Sequence, residues 1–134
     1  MNLVVLQLGL NDLKTFFKRT AEDVSEGLVE LIDMIQASPC GPDMRSPPSI
    51  LIVSPPLPSN ENFIDTEGER VFSGSIEKAK MLAPLYNRLA DVKGCDFLDL
   101  SQVVALSTID GIHLDESGHN IVATVLKNKI QSLF

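Results

Sequence analysis

Residues 3–9, with the sequence LVVLQLG, decide the fold. They form a continuous run of apolar and β-branched residues that ends at Gly9, a pattern typical of a strand buried on both faces of a parallel sheet. A second run of this kind, SILIVS, occupies residues 49–54 and leads directly into a proline-rich turn. Two such runs separated by a long crossover segment indicate an α/β sheet.

Three amphipathic helices are predicted between and after these strands. A capping box at Thr20, completed by the carboxylate of Asp23, marks the start of the first helix. A third strand is predicted at residues 95–100. The order of strand then helix, repeated three times, predicts a parallel sheet with right-handed crossovers. The predicted helices run from Thr20 to about Ala37, from Ser75 to about Val92, and from a cap at Asp115 to the apolar residues near the C-terminus.

The composition is that of one globular domain, residues 1–134, with 44% hydrophobic and 22% charged residues. The net charge of −7 argues against nucleic-acid binding, which needs a basic surface. No apolar run approaches the length of a membrane span. Two cysteines far apart in the sequence favour free thiols over a disulfide. We therefore expect a cytoplasmic protein that binds neither nucleic acid nor a membrane.

Polar residues whose side chains could take part in a reaction follow the first strand and precede the last helix. Asn11 lies at the carboxyl end of the first strand, where functional groups gather in open α/β sheets, although a turn or helix cap would also explain it. Near the C-terminus, Asp110 stands three residues before His113. A carboxylate at this spacing can hold one ring nitrogen of the imidazole and leave the other free as a base.

A long segment, residues 55–73, follows the second strand and contains prolines, one glycine, Phe63 and Phe72. Because it leaves the carboxyl end of a strand, it is placed to form a wall of a substrate pocket. The alternative is a surface excursion anchored by its two aromatic side chains.

Two short blocks of the sequence resemble the SGNH hydrolases, also called GDSL-like esterases. Residues 8–12, LGLND, resemble the Gly-x-Asn-Asp block of that family, and residues 110–114, DGIHL, resemble its Asp-Gly-x-His block. Residues 11–20 and the VSPP turn at residues 53–56 are similar to the bacterial arylesterase and acyltransferase branch. The resemblance covers essentially the whole chain and implies a three-layer α/β/α, flavodoxin-like fold with a parallel sheet.

The resemblance also implies a role for each matching residue. Asn11 would donate its side-chain amide to an oxyanion, with Gly9 turning the backbone beside it. His113 would act as general base and then as acid, oriented by Asp110. The substrate would be a small ester or acyl donor, with no metal and no organic cofactor. The residues expected to line the substrate pocket are Leu10, Phe63, Phe72 and Ile112.

The chain lacks two blocks of the family pattern. One is the Gly-Asp-Ser block, which carries the family's nucleophilic serine, and the other carries the family's second oxyanion glycine. We therefore expect the fold to be truncated at the N-terminus, with strands 3–5 of the usual five in the order 2-1-3-4-5. This would leave residues 3–8 as a hydrophobic edge that favours a homo-oligomer.

The predicted function is that of a carboxylic-ester hydrolase or acyltransferase that is inactive alone because the nucleophile is absent. One alternative is a non-catalytic truncated paralogue that self-associates or binds a partner. Another is a metal site formed by Asp110, His113, Asp115 and His119, since carboxylates and imidazoles are suitable ligands.

Overall fold

A computed structural model describes residues 1–134 and contains a three-stranded sheet with three α-helices. The alternation of strand and helix predicted from the sequence is confirmed, and each boundary lies within a few residues of its expected place. The strands are β1 (Leu3–Gln7), β2 (Ser49–Ser54) and β3 (Asp96–Asp99), and the helices are α1 (Ala21–Gln36), α2 (Ser75–Lys93) and α3 (Glu116–Gln131).

The sheet is parallel throughout, with the spatial order β1-β2-β3. Side chains of β2 alternate between its two faces, so Ile50 and Ile52 pack beneath α1 and α2. Leu51 and Val53 point the other way and pack beneath α3. The result is the predicted three-layer arrangement, in which the central strand is buried on both faces and carries the core.

Side-chain caps fix where two of the helices begin. The Oγ1 atom of Thr20 accepts a hydrogen bond from the Asp23 amide (3.1 Å), and the Thr20 amide donates to Oδ2 of Asp23 (2.8 Å). This reciprocal pair is the capping box predicted from the sequence. At α3, Oδ1 of Asp115 accepts from the Gly118 amide (2.7 Å). The start of α3 matters for function because the Asp110–His113 loop runs directly into it.

The prediction that the first strand is buried on both faces is wrong, because β1 is an edge strand. Val5 keeps 40% of its surface exposed, and Leu8, just after the strand, keeps 48%. A single helix, α3, covers the face on which Val5 lies, and a helix about 10 Å across cannot cover three strands spaced about 4.8 Å apart. The same limited packing leaves Ile121 of α3 39% exposed.

Both cysteines are free thiols, as predicted, and both are partly buried. Burial raises the pKa of the Cys95 thiol, with a smaller contribution from the carboxylate of Asp96. The neutral and less reactive form of this thiol is therefore favoured. In the structure, no helix combines the length and the apolar character needed to cross a membrane.

The turn after β1 depends on a close contact between Gly9 and Tyr86. Gly9 has a φ of +115°, and a Cβ atom added to it would lie 2.3 Å from the Tyr86 hydroxyl oxygen. That hydroxyl donates to the carbonyl oxygen of Leu8 (3.2 Å). Burial raises the pKa of Tyr86, so the side chain remains a protonated donor. Only glycine satisfies both the backbone angle and the available space at this position.

We expect Gly9→Ala to destabilise the protein by more than its backbone strain alone. Gly68 is the matched control, since its φ is +87° but no atom lies within 4 Å of its added Cβ. Gly68→Ala should cost about 1 kcal/mol of unfolding free energy, and Gly9→Ala at least about 1 kcal/mol more because of the overlap with Tyr86. Urea denaturation of both variants measures this difference, and equal losses would contradict the packing argument.

Candidate active site

A cavity of about 320 Å³ opens at the carboxyl ends of β1 and β2 and brings the two sequence motifs together. Asn11 contributes from the turn after β1, and His113 contributes from the loop before α3. Pro55 and Pro56 form the side that follows β2. Apolar side chains from Leu8, Leu10, Leu106, Ile112 and Leu114 complete much of the lining. The cavity therefore combines polar groups with an apolar wall, as small-molecule sites usually do.

The carboxylate of Asp110 holds both the backbone and the ring of His113. Its Oδ1 atom accepts from the amides of Ile112 and His113 (both 3.0 Å). Its Oδ2 atom lies 2.6 Å from Nδ1 of the His113 ring. With the carboxylate ionised, this contact places the proton on Nδ1 and leaves Nε2 as the free basic nitrogen. The arrangement is that of a histidine base oriented by an acidic residue.

The same hydrogen bonds stabilise the charged form of the Asp110 carboxylate. They lower its pKa to about 2, with the bond to the His113 side chain as the largest cause and the amide of Ile112 next. Asp110 therefore stays ionised at every pH at which His113 would act as a base. The side chain of Asp110 is partly exposed, so this ionisation needs no compensating buried cation.

Asn11 begins a short 3₁₀ turn, Asn11–Leu13, that follows Gly9. The turn is closed by a hydrogen bond from the Asp12 amide to the Gly9 carbonyl (3.2 Å) and is anchored by the buried side chain of Leu13. The side chain of Asn11 is exposed to the cavity and makes no hydrogen bond within the chain. Its amide group is therefore free to donate to a bound ligand.

Two residues of the segment after β2, Ser59 and Asn60, form hydrogen bonds with the loop that contains Asp110 and His113. The Ser59 amide donates to the Gly111 carbonyl (3.0 Å), and the Ser59 hydroxyl donates to the Ser107 carbonyl (2.8 Å). The side-chain amide of Asn60 donates to the Thr108 carbonyl (3.3 Å). Three hydrogen bonds from two adjacent residues thus hold the loop that carries His113.

Gly111 lets the two loops approach this closely. Its φ is +85°, and an added Cβ would lie 2.5 Å from Oδ1 of Asn60. The loop is closed on itself by a hydrogen bond from the Ser107 amide to the His113 carbonyl (2.7 Å). The glycine of the Asp-Gly-x-His motif is therefore required by packing between loops as well as by its backbone angle.

The four residues predicted to line the substrate pocket are placed in two different ways. Leu10 and Ile112 line the cavity. Phe63 packs edge-on against the His113 ring, with 6.1 Å between ring centroids, and Phe72 is fully buried behind Phe63 at 5.8 Å. The two aromatic residues thus support the wall next to His113, and neither is among the residues that line the cavity.

Two features of the site were not predicted from the sequence. His119, considered above only as a metal ligand, is an exposed residue of α3 that also lines the cavity. The contacts of Ser59 and Asn60 join segments 48 positions apart and have no local signal. The alternative metal site is not formed, because no group of three or more potential ligands converges and Asp115 caps α3 instead.

No hydroxyl or thiol group of the chain is hydrogen-bonded to Nε2 of His113. Ser54 lies at the end of β2, but its hydroxyl is buried and donates to the carboxylate of Asp99 (2.8 Å). The described residues therefore bring an imidazole, held by the Asp110 carboxylate, and a free amide donor to one cavity, with no hydroxyl or thiol hydrogen-bonded to Nε2 of His113.

Comparison with solved structures finds several esterases that match the entire chain. A carbohydrate acetylesterase from Sinorhizobium meliloti is 30% identical, with a TM-score of 0.89 over 100% of this chain and 62% of that chain. The M. smegmatis aryl esterase is 28% identical, with the same TM-score and the same coverage of both chains. A GDSL-like lipase from Bacteroides thetaiotaomicron, at 19% identity and a TM-score of 0.72, shares the fold.

The chain spans less than two thirds of the length of these structures. No protein-family model and no curated protein matches the sequence. The likeness therefore rests on three-dimensional structure together with a moderate level of sequence identity.

We expect His113→Ala to raise the pKa of Asp110 from about 2 towards the ordinary range, because the largest stabilising hydrogen bond is lost. The titration of the Asp110 carboxyl carbon by NMR measures this shift. Asp43, whose pKa is also about 2 because of hydrogen bonds from Ser46, is an internal reference. His119→Ala is the matched control and should leave Asp110 unchanged.

The same shift has a defined effect on stability. The pKa of Asp110 is lower in the folded protein than in the unfolded chain, so its ionised form stabilises the fold above pH ~4. This contribution is lost as the pH falls from ~4 to ~2. The acid-induced loss of stability should be shallower in His113→Ala, and an unchanged slope would contradict the role given to this hydrogen bond.

We expect Asn60→Ala to loosen the loop that carries His113. Losing the hydrogen bond to Thr108, at about 1 kcal/mol, should speed amide exchange at Gly111 and His113 roughly fivefold. Asn62→Ala is the matched control, since the Asn62 side chain makes no hydrogen bond in the same segment. Hydrogen exchange measured by NMR distinguishes the two variants, and equal rates would show that Asn60 does not hold the loop.

Proposed function

Because this chain has the SGNH hydrolase fold, as its two motifs predicted, we propose that it carries the base and one oxyanion donor of a serine-type ester hydrolase or acyltransferase. The observation that carries this proposal is the cavity that holds Asn11 and the oriented His113 together. The neighbours at about 30% identity are esterases, which supports ester chemistry as the general kind of reaction.

The reaction begins when a serine hydroxyl attacks the ester carbonyl carbon. Nε2 of His113 removes the hydroxyl proton, and the resulting imidazolium is stabilised by the ionised Asp110. The carbonyl oxygen becomes a tetrahedral oxyanion, and the side-chain amide of Asn11 donates to it. His113 then returns the proton to the leaving alkoxide, which departs as an alcohol and leaves an acyl-enzyme.

The second half of the reaction uses the same groups. His113 removes a proton from water, which attacks the acyl carbon and releases a carboxylic acid, or from an acceptor alcohol, which yields a new ester. The apolar wall formed by Leu10 and Ile112 would contact the acyl group or the alcohol group of the substrate. No metal or organic cofactor takes part in either half. A cytoplasmic location remains part of this proposal.

The serine must come from outside these 134 residues, since none of them presents a hydroxyl to Nε2 of His113. We therefore expect the chain alone to show no burst of acyl-enzyme. The edge position of β1 favours the second candidate function, a non-catalytic module that binds itself or a partner.

A fusion protein tests the catalytic proposal directly. The chain replaces the matched region of the M. smegmatis aryl esterase, so that the rest of that enzyme is joined to these 134 residues. We expect the fusion protein to hydrolyse p-nitrophenyl acetate. Asn11→Ala should lower its kcat by about 10²–10³-fold through loss of the oxyanion donor. His113→Ala should lower kcat further, because it removes the general base.

Asn87→Ala is the matched control, since Asn87 is an exposed residue of α2 with no side-chain hydrogen bond. It should leave kcat unchanged. Circular dichroism of each variant separates loss of chemistry from loss of folding. A folded fusion protein without activity, or one that is insensitive to Asn11→Ala, would exclude the proposed roles in favour of the non-catalytic module.

A further inference from the structure

The helix α2 has no cap of its own at its start. Gly74, the residue before the helix, has a φ of +76° and no side chain that could accept a hydrogen bond. The hydroxyl of Ser75, the first residue of the helix, is buried and makes no hydrogen bond. The first amides of a helix have no partner within the helix, so they need an acceptor from elsewhere in the chain.

Glu61 supplies two acceptors for these amides from the long segment after β2. Its Oε2 atom accepts from the amide of Gly74 (2.8 Å), and its Oε1 atom accepts from the amide of Ile76 (2.8 Å). A carboxylate at this place is favoured by the helix dipole, and its hydrogen bonds are charge-assisted. Glu61 is half-buried, and both of its oxygens are used by the helix. The segment after β2 is therefore fixed to the start of α2 at this residue.

The residue before Glu61 is bound to the loop that carries His113. The side-chain amide of Asn60 donates to the carbonyl of Thr108 in that loop (3.3 Å). Oδ1 of Asn60 accepts from the amide of Asn62 (2.9 Å), which closes a tight turn around Glu61. One short turn thus contacts the His113 loop on one side and α2 on the other, so a displacement of Glu61 would move the whole turn.

The aromatic residues of the segment connect the same helix start to the His113 ring. Phe63 packs at 72° to the imidazole, and Phe72 packs behind Phe63. The carbonyl of Phe72 accepts from the amide of Ser75 (3.0 Å), so Phe72 is tied to the helix start that Glu61 caps. The side chain of His113 is 68% exposed, so the position of its ring depends strongly on the contacts that it does make.

From these contacts, we infer that Glu61 is a positioning residue for His113. It acts through Phe63, because it fixes the turn of residues 59–63 to the start of α2. Asp110 holds one ring nitrogen, and Phe63 limits the rotation of the ring about that hydrogen bond. The consequence for catalysis, that Nε2 stays directed at the substrate, rests on the proposed function. The positioning itself rests on the contacts alone.

NMR spectroscopy of the intact chain tests the positioning. Glu61→Ala removes both acceptors, so the Hε1 chemical shift of His113 should move towards its value in Phe63→Leu as the ring current of Phe63 is lost. Exchange of the Ser59 amide, which donates to the His113 loop, should become roughly fivefold faster. The double variant should have the same His113 shift as Phe63→Leu, because both changes act through one contact.

Two further variants separate positioning from the capping of the helix. Glu77→Gln is the matched control, since it removes an acid from the same first turn of α2 and breaks an exposed ion pair with Lys80. It should leave the His113 shift and the Ser59 exchange rate unchanged. Glu61→Gln keeps the shape of the side chain and one acceptor, so it should change both quantities in the same direction but by less. It also provides the test if Glu61→Ala does not fold.

The fusion protein with the M. smegmatis aryl esterase tests the catalytic consequence. In an active fusion protein, Glu61→Ala should lower kcat about tenfold with little change in KM, because a displaced base weakens the transition state more than it weakens binding. An unchanged kcat would overturn the role of Glu61 in positioning the base.

Three NMR results would also overturn the inference. These are a wild-type His113 shift in both Glu61 variants, an equal change in Glu77→Gln, and shifts that simply add in the double variant. The NMR measurements need no activity, so an inactive fusion protein would count against the catalytic proposal and not against the positioning.

Discussion

The parallel register of β1 and β2 is the constraint on which the site depends. Gln7 lies beside Val53 in this register, so both strands end at the same edge of the sheet. The turn that carries Asn11 and the prolines that follow β2 must therefore meet there. The contact between Gly9 and Tyr86 fixes the direction in which the chain leaves β1. A bulkier residue at that turn would displace the amide donor even if the sheet itself were unchanged.

The sequence predicts those parts of the structure whose signals are local. The capping box at Thr20 and the cap at Asp115 are short patterns with one geometric solution, and both are present. The spacing of Asp110 and His113 likewise implies a hydrogen bond within one turn of chain, and its length is 2.6 Å. Helix starts and the carboxylate–imidazole pair are therefore predictable from the sequence alone, because the interacting groups lie within three residues of each other.

Features that depend on distant segments are not predictable in this way. The exposure of Val5 depends on how many helices cover one face of the sheet, which the apolar sequence of β1 does not encode. The hydrogen bonds from Ser59 and Asn60 depend on a loop packing against another loop 48 positions away. The position of Phe72 in the sequence predicts a place at the pocket, but the structure buries this side chain one layer behind Phe63.

His113 and Asn11, the two parts of the candidate site, are held in place by different contacts. The imidazole of His113 is fixed by Asp110, and the loop is braced by Ser59 and Asn60, so every contact that orients the base comes from inside the described chain. Asn11, in contrast, follows a strand that is hydrogen-bonded on one side only. The position of the Asn11 amide therefore depends on the turn at Gly9 and on the buried side chain of Leu13. The position of the His113 imidazole depends instead on hydrogen bonds within its own loop and from the segment after β2, so a substitution at one of these two supports should leave the other in place.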